Sequence, residues 1–66
     1  MKVACKFMSS VIEAITYDIA TRELIVHFAD GNEYTYPDVP LLLITTWMEA
    51  ESHGQFFNQH IRPLSP

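Results

Sequence analysis

Between Glu23 and Phe28 the side chains alternate, Leu24, Val26 and Phe28 to one side and Glu23, Ile25 and His27 to the other. A period of two is the spacing of a β-strand with one buried face. The next residues, Asp30-Gly31-Asn32, fix what the chain does at its end. Gly31 supplies the positive φ that a tight hairpin requires, and the flanking Asp and Asn tolerate it next best. Tyr34 and Tyr36 then alternate with Glu33 and Thr35 until Pro37 ends the run. Upstream, Val11, Ile15 and Tyr17 fall on one side of another period-two segment whose face Glu13 breaks, which predicts a strand with a bulge. Asp18 heads the turn to Thr21, where its carboxylate can bond its own backbone. Three strands and two short turns make an antiparallel meander. Its apolar face collects Ile15, Tyr17, Leu24, Val26, Phe28, Tyr34 and Tyr36. Val3, Cys5 and Phe7 alternate as well and fit a fourth strand at the sheet edge.

That face needs a cover, and the second half of the chain supplies one. Pro40 fits the first helical position, which needs no amide proton. Leu41, Ile44 and Met48, with Leu43 and Trp47 beside them, form an apolar stripe at helical spacing up to Ala50. Ser52 followed by Gln55 reads as a capping box. It opens a second short helix that carries Phe56, Phe57 and Ile61 and stops at Pro63. Gly54 inside that helix costs roughly 1 kcal/mol against Ala, and its expected return is a close helix–helix approach or a sharp turn between the helices. The fold class expected is α+β: a three- to four-stranded antiparallel meander covered on one face by two C-terminal helices.

The chain has 66 residues, enough for one domain, and 48% of them are hydrophobic, too many for a disordered segment. At this length a fold buries only roughly 60% of the surface its unfolded chain exposes. A partner subunit would therefore be welcome. Cys5 has no second cysteine to pair with, which fits a reducing compartment and a cytoplasmic protein. No apolar run approaches the ~18 residues of a membrane span. The longest uncharged stretch near Met1 is too short for a signal-peptide core. The formal charge of −4 excludes a broadly basic surface, though not a small basic patch.

Ser9-Ser10, Ile12, Ile15 and Tyr17-Asp18 open an ordered string of residues that continues through Leu24, Phe28, Gly31 and Tyr34-Thr35-Tyr36. It runs on through Val39-Pro40, Ala50, Ser52, Gly54, Phe57-Asn58, Ile61 and Arg62. In order and spacing this string resembles the KTSC domain, a module found at the C-terminus of some lysyl-tRNA synthetases and alone as a small bacterial or phage protein. The resemblance divides the chain into an N-terminal segment 1–8, a KTSC-like domain 9–62 and a tail 63–66. It implies a binding module for RNA, tRNA in particular. The chain departs from the family at Ile44, where relatives often carry an aromatic residue. It departs again at Pro63-Leu64-Ser65-Pro66, where relatives tend to end in a glycine, a basic residue and a tyrosine. The replaced tail removes residues that an RNA would readily use.

Six residues form the candidate nucleic-acid site: Lys2, Lys6, Tyr34, Tyr36, Asn58 and Arg62. The two tyrosines fit the core with hydroxyls at the sheet rim; if exposed there, they fit stacking on unpaired bases. Lys2, Lys6 and Arg62 are three of four basic residues. They make one patch if the first strand and the last helix lie side by side, with Asn58 and His60 adding hydrogen bonds to phosphate. No metal site is expected. His53 and His60 stand about 10 Å apart along a helix, and His27 has only Cys5 as a possible neighbour. No cofactor is expected, since two glycines build no phosphate loop. No catalytic set is expected either, because Ser9-Ser10 lacks a nucleophile elbow. The alternative to RNA is a protein partner or a homodimer, held by apolar residues the core leaves out: Ile19, Ile25, Leu42 and either Phe56 or Leu64.

Overall fold

A computed structural model describes residues 1–7 and 9–64. Met8, the last residue of the expected N-terminal segment, and Ser65-Pro66 of the tail lie outside the described residues. Four strands, β1 (Lys2–Lys6), β2 (Ile12–Asp18), β3 (Glu23–Phe28) and β4 (Glu33–Tyr36), form one antiparallel sheet in sequence order. Helix α1 (Leu41–Met48) and helix α2 (His53–Phe56) follow, and α2 runs on through a π-helical turn, Phe57–Ile61, into a 3₁₀ turn, Arg62–Leu64. The meander, its edge strand and the two covering helices are those the sequence predicts.

The turns form for the reasons read from the chain. Asp18 accepts from the amides of Ala20 and Thr21 at 3.0 and 3.3 Å. Gly31 sits at φ +95°, and Asp30 accepts from the Asn32 amide at 3.0 Å. Two non-glycine residues also take positive φ, Arg22 at 63° and Asp38 at 54°. Their side chains meet at 3.6 Å, and the Val39 amide donates to the Arg22 carbonyl at 2.8 Å. That bond draws the strand-to-helix connection back over the β2–β3 turn.

Three details of the core differ from expectation, each through packing. The register of β2 shifts between Ile12 and Ala14, so Ile12 is buried with Ile15 while Val11 is exposed. A bulge adds one residue and moves the inward phase by one, which a strict alternation from Val11 cannot reproduce. In α1 the buried residues are Ile44 and Trp47, while Leu41 and Met48 are 47% and 43% exposed. Trp47 sets the helix rotation: its indole N–H donates to the His53 carbonyl at 3.0 Å, and Phe7 meets its ring edge-on at 4.8 Å. Pro40 serves as the N-cap rather than the first helical residue. Val39 is fully buried, and the Tyr17 hydroxyl donates to its carbonyl.

Candidate functional site

The β1–β2 loop, the adjoining ends of β3 and β4, and the helical run from α2 enclose an open cleft of about 600 Å³. Each wall has a local cause. Ser9 Oγ accepts from the amides of Val11 and Ile12 at 3.2 and 3.3 Å, folding its loop back on itself. Ser52 Oγ accepts from the Gln55 amide at 3.2 Å and caps α2. Gly54 faces that loop rather than α1: a Cβ there would stand 3.5 Å from Ser9 Oγ, an ordinary contact. The expected helix–helix approach at Gly54 is therefore not what the glycine serves.

Aromatic rings line the cleft. Phe28 meets Tyr34 at 5.3 Å and Phe57 at 5.4 Å, and Tyr36 meets Phe57 at 6.4 Å, all edge to face. Edge-to-face packing suits the ring quadrupoles. The π-helical turn brings Phe57 and Ile61 into the core together, and such turns recur at functional sites. Tyr36 is 2% exposed and Tyr34 is 50% exposed, because Tyr34 lies at the margin of the helical cover. Both tyrosines were expected on the core face. Only one is in the core.

Charged groups are few in the cleft. Arg62 donates from Nη1 to Asn58 Oδ1 at 3.4 Å, one turn away. Among the described lining residues Arg62 is the only lysine or arginine and Glu51 the only carboxylic acid. The Tyr36 phenol is pushed up from its ordinary pKa, first by burial and then by the neighbouring Tyr34, with Arg62 pulling the other way.

The six residues chosen from the sequence divide into two groups. Tyr34, Tyr36, Asn58 and Arg62 all line the cleft. Lys2 and Lys6 do not join them. Val3 and Cys5 pair with the buried Tyr17 and Ile15, whereas Lys2 and Lys6 pair with Asp18 and Ala14 on the alternate positions. Strand parity thus directs both lysines to the sheet face away from the helices. The strand β1 also lies three interstrand spacings, about 14 Å, from β4. The single patch of Lys2, Lys6 and Arg62 does not form. Parity likewise separates Cys5, which packs on the core, from His27 on the open face.

That open face carries a polar row with no signature in the residue pattern. His27 shares a hydrogen bond of 3.0 Å with Thr16 and one of 3.1 Å with Glu33, joining three strands. Hydroxyl, imidazole and carboxylate in line would resemble a catalytic relay, but the row stands on the open sheet face, outside the cleft. It ties strands together. A second, almost wholly apolar groove of about 390 Å³ runs between α1 and the helical run, lined by Pro40, Leu42, Leu43, Thr46, Phe56 and His60. Among the described residues no group of three or more His, Cys, Asp or Glu is placed to hold a metal ion. No described helix is long and apolar enough to cross a membrane.

The sequence profile of the KTSC domain matches residues 8–64. A protein of Tsukamurella paurometabola is 40% identical over 55 residues, 83% of this chain and 82% of its own. An uncharacterized protein of Stutzerimonas stutzeri strain A1501 is 36% identical over 55 residues, 83% of this chain and 78% of its own. Among solved structures, the crystal structure of a KTSC domain protein from Yersinia pestis superposes with a TM-score of 0.85 at 33% identity. The superposition covers 92% of this chain and 86% of that one. Many of the residues that carry the family resemblance, from Ser9-Ser10 through Tyr34 and Tyr36 to Gly54, Asn58 and Arg62, surround the cleft.

Proposed function

The chain belongs to the KTSC domain family, and we propose that it is a non-enzymatic binding module of the cytoplasm whose cleft takes single-stranded RNA, an unpaired tRNA segment included. The observation that carries this reading is the convergence of Tyr34, Tyr36, Asn58 and Arg62 on one concave surface. The exposed ring of Tyr34 offers a platform for an unstacked base. Arg62 and the Asn58 amide offer donors to a phosphate in the same cleft. The helices cover the sheet face and leave this corner open, so one face serves both packing and binding. With a single arginine in the cleft, log K falls with log salt at a slope of only about −0.7. Fluorescence anisotropy with short labelled RNA tests the reading. Tyr34→Ala weakens binding roughly five- to a hundredfold if the ring stacks on a base. Unchanged affinity in both Tyr34→Ala and Arg62→Ala removes the cleft from any RNA contact.

A second reading has its own observation. Between Asp38 and Glu49 the chain carries no charged residue, and Leu42 is 75% exposed beside the apolar groove. An uncharged apolar helix face suits a protein partner or a second copy, since a two-fold axis through it opposes no like charges. Sedimentation at increasing concentration tests the homodimer. A monomer at the highest concentration removes it.

A further inference from the structure

We infer that the cleft selects guanine, with Glu51 reading the base edge while Arg62 and Asn58 hold the phosphate; this rests on the RNA-binding reading above. The cleft is chemically polarised. Glu51 immediately precedes the Ser52 cap at the start of the helical run, and Arg62 follows its π-helical turn. The ten steps from Ser52 to Arg62 correspond to about 15 Å of helix. At the Arg62 end the groups on offer are donors. A guanidinium has no acceptor, so Asn58 must turn its carbonyl oxygen to Arg62, which leaves its amide N–H groups free to donate. Phosphate oxygens suit that end. At the other end the carboxylate of Glu51 is acceptor-only, with two oxygens side by side.

Among the four RNA bases only guanine has two adjacent donors on its Watson–Crick edge, N1–H and the N2 amino group. A carboxylate accepts both at once. Adenine and cytosine set a ring-nitrogen acceptor beside their amino donor, and uracil flanks its single N–H with two carbonyls. Each of these places a lone pair against a carboxylate oxygen. Tyr34, half exposed in the same cleft, gives the base its stacking surface. The stacking term is common to all bases. Among the charged lining residues, discrimination therefore falls to Glu51.

Four RNA tetranucleotides, each with one G, A, C or U at a fixed place in an abasic background, are titrated by anisotropy against the wild-type chain and Glu51→Gln. A fifth carries inosine, which keeps N1–H and lacks the amino group. The G oligonucleotide binds wild type about tenfold or more tighter than A, C or U, as a two-bond base contact provides. Inosine falls between. In Glu51→Gln the ratio of G to A collapses towards one while binding to A, C and U persists or strengthens. Equal binding of all five by wild type overturns the guanine assignment and leaves the RNA reading standing. A G preference untouched by Glu51→Gln overturns the role of Glu51. No binding of any oligonucleotide overturns both, and circular dichroism confirms that each variant is folded.

Discussion

The phenolic hydroxyl of Tyr17, in the second strand of the sheet, donates to the backbone carbonyl of Val39, two residues before helix α1 begins. Both residues are buried, at 2% and 0% exposure. The bond anchors the strand-to-helix connection, whose position decides where the whole helical layer lies on the sheet. Tyr17→Phe keeps the ring and leaves a buried carbonyl without its partner. Such a loss costs about 1–3 kcal/mol, a large part of what a chain of this size has. Urea unfolding should show a lower midpoint with an unchanged slope. An unchanged midpoint would mean that the connection is held by Val39 packing alone.

The two glycines answer alanine with opposite signs. Gly31 stands at φ +95° with nothing near a would-be Cβ, so the obstacle is purely conformational. Gly31→Ala should destabilise by about 1–2 kcal/mol. Gly54 lies in a helix, and a Cβ there makes an ordinary 3.5 Å contact with Ser9 Oγ. Gly54→Ala should stabilise by about 0.4–1 kcal/mol through the unfolded chain. Thermal unfolding of both variants checks the pair, and a destabilised Gly54→Ala would mean that the Ser9 loop does not accommodate the added methyl group.

Stability should weaken at both pH extremes through identified groups. Burial alone would raise the Asp18 pKa, but the amides of Thr21 and Ala20 and the Met1 amino group outweigh it, and the carboxyl lies below its ordinary 3.8. A depressed acid contributes stability above pH 3.8 that is lost as pH falls through its folded value. The Tyr36 phenol is raised above 10.0 by burial and by Tyr34, against the pull of Arg62. Its contribution is full below pH 10.0 and is lost as pH rises through the folded value. Asp18→Asn should flatten the acid limb of a stability–pH curve and Tyr36→Phe the alkaline limb. Limbs parallel to wild type in both variants would contradict the assignment.

Much of the fold was legible because its signals are local. The Leu24-Val26-Phe28 alternation, the Asp30-Gly31-Asn32 hairpin and the Ser52 cap depend on neighbours in the chain. The inward shift to Ile12 and the rotation of α1 towards Trp47 were not legible, because both follow from contacts between distant segments. Of the six candidate residues, Tyr34, Tyr36, Asn58 and Arg62 line the cleft. Glu51, which lines it too, was not legible, since a lone exposed acid before a helix cap has no periodic signature. Lys2 and Lys6 lie on the sheet face away from the cleft's helical wall. Their alternation with Val3 and Cys5 already assigned them to the open face.

The central claim is that RNA enters the cleft between β4 and the helical run. The most direct test is an NMR titration of isotope-labelled chain with single-stranded RNA, first at low and then at moderate salt. The account predicts shifts at Tyr34, Tyr36, Glu51, Asn58 and Arg62 that fade only gently with salt, and none at Lys2 or Lys6. No shift at low salt, or shifts confined to the lysine-bearing open face, would contradict it.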